Sequence, residues 1–247
     1  MRLELATRRF YLGRDYGEAV DAFGATPCHI PLIPDQAFIE DVMSGLDGLL
    51  LPGSDTDVDP SYYGEEPHPK IGTTIAEKDE TDLLALEYAE RSGIPVLAIC
   101  FGMQSLNVSR GGSLIQDIES QIEKPLKHRQ GLPLERNSHF VSLEPGTLLE
   151  AMVLETGSKA KVNSHHHQAI RNVGKNLMVA ARASDDVIEA VEDMRAERFV
   201  IGVQWHPELS YRTDPLSGKI FETFVSACRT SKLSGMAEIS DSVRLAV

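Results

Sequence analysis

Residues 95–106 (PVLAICFGMQSL) show two patterns in succession, first that of a strand and then that of a helix. The first five residues are a short apolar run, which is typical of a strand buried on both faces. The residues after Cys100 predict a helix, and Gly102 lets the chain pass close behind a tight turn. The segment therefore predicts a buried strand that turns sharply into a helix at a single thiol, Cys100.

Similar strands and helices alternate along the first half of the chain. Residues 46–51 (LDGLLL) predict a second buried strand, and residues 77–92 predict a helix that ends at Gly93. A helix around Tyr16 precedes residues 28–33 (CHIPLI), which also predict a strand. The alternation indicates a three-layer α/β fold, in which a mostly parallel central sheet has helices on both faces.

The second half predicts antiparallel strands added to this sheet, because turns or short loops separate its apolar segments. The last two of these strands are expected to form a hairpin. The predicted strands are residues 140–143, 177–181, 187–191 and 199–205. We interpret residues 1–231 as one domain, and we expect residues 232–247, which have weak periodicity, to be a frayed C-terminal tail.

The charge of the chain limits its partners. A net charge of −13 argues against nucleic-acid or membrane-surface binding, since phosphate contacts need clustered Lys and Arg. No run of about 18 apolar residues is present, and the N-terminus has no apolar signal-peptide core. Three widely spaced cysteines suit a reducing compartment. We therefore expect a cytoplasmic protein that acts on a small molecule without a cofactor.

Cys100 has the placement of a nucleophile, because a helix N-terminus favours the thiolate. A thiol nucleophile also needs a base, usually a histidine that a carboxylate orients. Residues 204–208 (QWHPE) follow an apolar strand and place His206 and Glu208 at its end. Functional sites of open α/β sheets lie at strand ends. The sequence thus predicts a Cys-His-Glu triad.

Several motifs carry a resemblance to a known family. Residues 98–104 (AICFGMQ), 162–169 (VNSHHHQA) and 204–208 resemble those of the class I glutamine amidotransferase superfamily. Residues 51–60 (LPGSDTDVDP) and 63–69 (YGEEPHP) resemble its γ-glutamyl-γ-aminobutyrate hydrolases, which are also classed as cysteine peptidases of family C26. The resemblance runs from about residue 9 to residue 208.

The resemblance implies a role for each matching residue. Cys100 would be the nucleophile, His206 the general base and acid, and Glu208 the residue that orients His206. Backbone N–H groups of Ser54 and Phe101 would form the oxyanion hole. The resemblance places a further group of residues near the substrate: Gly53, Gln104, Arg129, Asn163, Ser164 and His166.

The triplet at residues 165–167 invites comparison with a metal site. Alternation along a strand sends the middle ring to the opposite face, and no Cys, Asp or Glu accompanies the three histidines. We therefore expect no metal. The pattern does not decide which of the three rings faces the substrate, and the resemblance favours His166.

The N-terminus departs from the family pattern. The resemblance implies an apolar strand ahead of the first helix and inside the sheet, whereas residues 1–6 (MRLELA) offer only Leu3 and Leu5. Either Met1 is an internal methionine of a longer chain, or the first strand is shortened to Leu3 and Leu5.

The leading functional hypothesis is a hydrolase that cleaves a small γ-glutamyl amide through a γ-glutamyl thioester. The sequence leaves the amine half of the substrate open, and a link to polyamine breakdown comes only from the resemblance. A glutaminase subunit that supplies ammonia to a partner synthase is the first alternative, and an inactive binding or regulatory protein is the second. A homodimer is a further expectation.

Overall fold

The computed structural model describes residues 1–4 and 9–244, and for residues 2–4 and 232–244 it describes the backbone only. The helices are α1 (Arg14–Ala22), α2 (Gln36–Met43), α3 (Ala76–Ser92), α4 (Phe101–Ser109), α5 (Ile118–Gln121), α6 (Leu148–Thr156) and α7 (Pro215–Arg244). The strands are β1 (Arg2–Glu4), β2 (Arg9–Tyr11), β3 (Leu49–Leu51), β4 (Val96–Ile99), β5 (Ser113–Ile115), β6 (His139–Leu143), β7 (Lys161–Val162), β8 (Ala169–Asn172), β9 (Leu177–Ala183), β10 (Ile188–Asp193) and β11 (Val200–Val203).

The central sheet is mixed, and its main path runs β3-β4-β11-β10-β9-β6-β7. Strands β3, β4 and β11 are parallel to one another, with Leu51 opposite Ala98 and Ile99 opposite Val203. The remaining pairs of this sheet, among the described residues, are antiparallel. The predicted parallel arrangement thus forms one end of the sheet. The antiparallel strands of the second half, including the predicted β10–β11 hairpin, extend it further than the sequence pattern indicated.

Helices cover both faces of the sheet, as the sequence predicted. Helices α1, α6 and α7 contribute to one apolar cluster, and α2, α3 and α4 contribute to the other. Successive residues of β4 alternate between the two, since Leu97 and Ile99 lie in the first cluster while Val96 and Ala98 lie in the second. A strand buried on both faces must be apolar throughout, which explains the continuous run at residues 95–99.

The strand predicted at residues 28–33 is wrong. The structure assigns no regular secondary structure to residues 25–35, and Cys28 is exposed. Three prolines, Pro27, Pro31 and Pro34, remove backbone N–H donors from this segment. The segment's apolar composition resembles that of a strand, but it contributes no ladder hydrogen bonds to the sheet.

The two ends of the chain also differ from expectation. Strand β1 pairs with β2 in a separate two-stranded sheet, so it lies outside the central sheet. Helix α7 continues to Arg244, which places most of the predicted tail in a helix; residues 245–247 lie outside the described part of the chain. Within the described residues, no helix has the length and the hydropathy that crossing a membrane would require.

The start of α4 packs directly on β3, and this close approach makes a testable prediction. A Cβ atom on Gly102 would collide with the backbone oxygen of Leu51 and come within 2.7 Å of its Cβ. We expect Gly102→Ala to lower the free energy of unfolding by about 1–3 kcal/mol, because backbone cannot move aside cheaply. Urea denaturation measures the change. The control is Gly45→Ala, whose Cβ would lie 3.7 Å from its nearest neighbour; equal stability of the two variants would contradict the prediction.

Candidate active site

The three parallel strands bring three functional segments together, since their carboxyl ends lie at the same edge of the sheet. Gly53 follows β3, Cys100 follows β4, and His206 follows β11. A Cβ built on Gly53 would lie 3.5 Å from the Cβ of Cys100 and 2.7 Å from Cε1 of His206. The structure therefore unites residues that are separated by more than 150 positions in the sequence.

Cys100 occupies a strained turn between β4 and α4. Its φ of 53° and ψ of −106° are unusual for a residue with a side chain. The Cys100 N–H donates to the carbonyl of Val203 at 2.7 Å, which ties the turn to β11. On its other side the buried ring of Phe101 packs under the ammonium of Lys78, 4.4 Å from the ring centroid. These contacts hold the thiol at the N-terminus of α4.

His206 contacts Glu208, the carboxylate that the sequence analysis expects to orient it. The distance between His206 Nδ1 and Glu208 Oε1 is 2.6 Å, and Glu208 is buried. Burial alone would lower the pKa of His206, but the neighbouring Glu208 and Cys100 outweigh it and hold that pKa well above its usual value. Because Nδ1 faces Glu208, the Nε2 atom is the nitrogen left for the thiol.

Tyr16 of α1 joins this group, although no motif in the sequence singles it out. Its hydroxyl accepts a hydrogen bond from the N–H of Gly53 at 3.0 Å and lies 3.5 Å from Nδ1 of His206. Burial and the charge of Glu208 raise the pKa of Tyr16 well above its usual value, so the hydroxyl stays protonated. Tyr16 was visible in the sequence only as one member of the apolar face of a helix.

Asn163 holds the backbone of His206 from both sides. Its Nδ2 donates to the carbonyl of His206, and its Oδ1 accepts from the N–H of His206, each at 2.8 Å. The side chain is 1% exposed. Asn163 therefore lies at the site as expected, but its amide contacts His206 where the resemblance had implied a contact with substrate.

The two expected oxyanion donors lie in the segments that flank the thiol. The N–H of Phe101 belongs to the first turn of α4, where backbone N–H groups have no partner within the helix. Ser54 follows Gly53 directly, and its hydroxyl contacts that of Thr56 at 2.8 Å. The Ser54 side chain thus braces the turn whose backbone would face the substrate.

Two of the expected substrate residues are buried and already hydrogen-bonded. Gln104 Nε2 donates to the carbonyl of Gln168 at 3.3 Å and to Oε1 of Gln204 at 3.2 Å. The hydroxyl of Ser164 donates to the carbonyl of His128 at 2.9 Å. Both side chains stabilise the wall behind the site.

The histidine triplet alternates as a strand requires, and it corrects the choice of His166. The ring of His165 lies against that of His206, with 5.8 Å between the centroids, while His167 contacts Asp57 at 2.8 Å. His166 points the other way and lies 3.5 Å from Glu189. Burial lowers the pKa of His165, which favours a neutral ring beside His206. The ring of His165 thus forms part of the wall beside His206.

Arg129 lies at the rim of the site. Its backbone pairs with His165 in an isolated antiparallel bridge, and its side chain is exposed. Within the described part of the chain, the guanidinium of Arg129 has no ion-pair partner.

Comparison with known proteins identifies the family of the chain. The model of the family described as Peptidase C26 matches residues 4–208. The chain therefore belongs to the peptidase C26 family, and it is a glutamine-amidotransferase-like hydrolase that acts on an amide bond.

Individual relatives cover most of the chain. The glutamine amidotransferase-like protein YvdE of Lactococcus lactis is 38% identical over 76% of this chain and 77% of its own length. The γ-glutamyl-γ-aminobutyrate hydrolase PuuD of Escherichia coli is 37% identical over 88% of this chain and 86% of its own. A Thermoplasma acidophilum structure described as a GMP synthase component has a TM-score of 0.60 and 16% identity, covering 95% of this chain and 96% of that chain. At that identity the likeness shows the fold alone.

The His206–Glu208 pair predicts a change in titration. We expect Glu208→Gln to lower the pKa of His206, because it removes the carboxylate charge that outweighs burial. NMR titration of the imidazole C–H signals measures this pKa. The pKa of His206 is higher in the folded native protein than in the unfolded chain, where it is about 6.5, so protonated His206 stabilises the fold below about pH 6.5. This stabilisation is lost as the pH rises through the higher folded pKa. Glu197→Gln, at an exposed position, is the control. An unchanged pKa in Glu208→Gln would contradict the assignment.

The Tyr16 hydroxyl predicts a loss of stability on its removal. Tyr16→Phe leaves the N–H of Gly53 without its partner, at an expected cost of about 1–3 kcal/mol in the free energy of unfolding. Thermal denaturation compares this variant with Tyr62→Phe, which alters an exposed tyrosine. Equal melting temperatures would show that the hydroxyl does not hold Gly53.

Proposed function

We propose that this protein hydrolyses the γ-glutamyl amide bond of a small molecule through Cys100, His206 and Glu208. The observation that carries the proposal is the 2.6 Å contact between His206 and Glu208, next to a thiol at a strained turn on the adjacent strand end. A cysteine, a base and an orienting carboxylate together are the parts that acyl transfer needs.

The first step transfers the acyl group to sulfur. The Cys100 thiolate attacks the γ-carbonyl carbon, and a tetrahedral oxyanion forms. The C–N bond then breaks as the protonated Nε2 of His206 gives its proton to the departing amine. The raised pKa of His206 supports this role, because the imidazole holds a proton that it can donate. The product is a γ-glutamyl thioester and a free amine.

The second step returns the enzyme to its starting state. Neutral His206 takes a proton from water, and the resulting hydroxide attacks the thioester carbon. The C–S bond breaks, glutamate leaves, and the Cys100 thiolate is restored beside protonated His206. Glu208 stabilises the imidazolium in both steps without becoming protonated.

The developing oxyanion needs preorganised donors in both steps. The N–H groups of Phe101 and Ser54 supply them in this proposal, since they flank the thiol on α4 and on the segment after β3. Each such donor contributes about 2.7–4 kcal/mol to the lowering of a barrier. The nearness of Gly53 to both Cys100 and His206 supports the placement of the second donor.

The γ-glutamyl part of the substrate is inferred from the similarity to PuuD and from the charge at the rim. The exposed guanidinium of Arg129 beside His165 can bind a substrate carboxylate through two hydrogen bonds. A γ-glutamyl-γ-aminobutyrate molecule has such a carboxylate on each half. Cytoplasmic location and a homodimer stay predictions from the sequence.

The activity test uses purified protein with γ-glutamyl-γ-aminobutyrate and follows glutamate release. We expect turnover by the native protein, none by Cys100→Ala, and unchanged turnover by Cys28→Ala, which alters the exposed thiol. Turnover that Cys100→Ala retains would refute the proposal. Glutamine hydrolysis that appears only with a partner synthase would instead favour the ammonia-supplying alternative, and no labelling of Cys100 by 6-diazo-5-oxonorleucine would favour an inactive protein.

The role of Arg129 makes a separate prediction. We expect Arg129→Gln to raise KM for γ-glutamyl-γ-aminobutyrate about tenfold to a hundredfold with little change in kcat, since it removes uniform binding of a carboxylate. Arg136→Gln, an exposed arginine in the same loop, is the control. Equal KM values for the two variants would place the substrate carboxylate elsewhere.

A further inference from the structure

Three imidazole rings converge on one carboxylate beneath the wall of the active site. Oxygen Oε1 of Glu189 in β10 lies 3.2 Å from Nδ1 of His128, 3.1 Å from Nε2 of His139 and 3.5 Å from Nε2 of His166. Glu189 is fully buried, and His128 and His166 are 3% and 4% exposed. The proposed hydrolysis does not use any of these four side chains.

The hydrogen-bond partners of His166 fix which of its nitrogens carries hydrogen. Nδ1 lies 2.9 Å from the carbonyl of Gln168, which can only accept, so Nδ1 is the protonated atom of the neutral ring. Nε2 then presents a lone pair towards Glu189, and it has no hydrogen-bond partner among the described residues. A lone pair facing a carboxylate in a dry interior is unfavourable unless a cation lies between them.

His128 has the same arrangement. Its Nε2 lies 3.0 Å from Oδ2 of Asp185, and that oxygen also accepts from the N–H of Leu126, so Nε2 is the donor. Nδ1 of His128 then faces Glu189 and the oxygen of Ser164, whose hydroxyl hydrogen is used on the carbonyl of His128. His128 Nδ1 and His166 Nε2 therefore both face oxygen atoms that can only accept, so a proton or a metal cation must lie between each nitrogen and Glu189. Each ring is oriented by an acceptor on its far side.

We propose that His128 Nδ1, His166 Nε2 and the carboxylate of Glu189 bind one Zn²⁺ ion. A tetrahedral shell with bonds of about 2.0–2.1 Å places neighbouring ligands about 3.3 Å apart. This is close to the 3.2 and 3.5 Å that separate Oε1 of Glu189 from His128 Nδ1 and His166 Nε2 in the structure. Asp185 and the carbonyl of Gln168 are the outer partners that zinc-binding histidines usually have. His139 donates to Glu189 and orients it.

The ion would act as a structural element of the active-site wall. It joins the loop before β6, the segment before β8 and strand β10. The carbonyl of Gln168 contacts both His166 and Gln104, which lies one turn beyond the nucleophile, and the carbonyl of Glu189 accepts from the N–H of Gln204. The site thus supports residues adjacent to both Cys100 and His206.

The test uses the full chain with Cys28 and Cys100 replaced by serine, so that neither the exposed thiol nor the nucleophile binds the metal; the remaining thiol, Cys228, is buried on α7. We expect one zinc per chain by elemental analysis after growth with added zinc and gel filtration. Replacing zinc with Co²⁺ should give visible absorption bands of a nitrogen–oxygen site without a thiolate charge-transfer band. If this chain binds neither zinc nor cobalt after these treatments, the proposal is overturned. That result would indicate that only protons lie between the imidazole nitrogens and Glu189.

Matched variants locate the ion. We expect His166→Gln to weaken zinc binding at least about a hundredfold, whereas His165→Gln, at the adjacent ring outside the cluster, keeps it. Equal binding by the two variants would overturn the assignment. Circular dichroism checks that both variants fold. If His166→Gln does not fold, the cobalt spectrum of the parent chain tests the site instead. A spectrum that shows no bound Co²⁺, or only that of hydrated Co²⁺, would contradict the proposed site.

Discussion

The parallel register of β3, β4 and β11 is the constraint on which the active site depends. With Leu51 opposite Ala98 and Ile99 opposite Val203, the three strands end at the same level. Their next residues therefore meet at one edge, and the chemistry needs no long side chain to bridge a gap. The apolar runs at residues 49–51 and 95–99 permit this arrangement, since only strands that are apolar throughout can be buried on both faces of a sheet.

Much of this arrangement could be predicted from the sequence, because local patterns carried it. The strand-to-helix junction at Cys100 and the polar residues after β11 are each visible within ten residues. The strand expected at residues 28–33 was wrong for the opposite reason: local composition favoured it, but a strand also needs a neighbour and N–H donors, which three prolines remove. The contacts of Tyr16 and the choice among three histidines depend on tertiary packing, which no local pattern encodes.

The residues around the reactive group form two sets with different tasks. In the proposed reaction Cys100, His206 and Glu208 exchange protons and an acyl group, whereas Asn163, Tyr16 and Gln104 hold the backbone segments that surround them. Glu189 and the three histidines around it (His128, His139 and His166) lie behind this second set. Since an acyl-transfer site must keep donors and nucleophile within a fraction of an ångström, such buried support is expected to matter for rate as well as for stability.

The central claim is that Cys100 becomes acylated, and mass spectrometry of the digested protein tests it most directly. The protein is mixed with γ-glutamyl-γ-aminobutyrate, quenched in acid during turnover, and digested to find the modified peptide. A mass increase of one glutamyl residue is expected on the peptide that contains Cys100, with none in a Cys100→Ala chain. Release of glutamate without any adduct on Cys100, or an adduct on another residue, would contradict it.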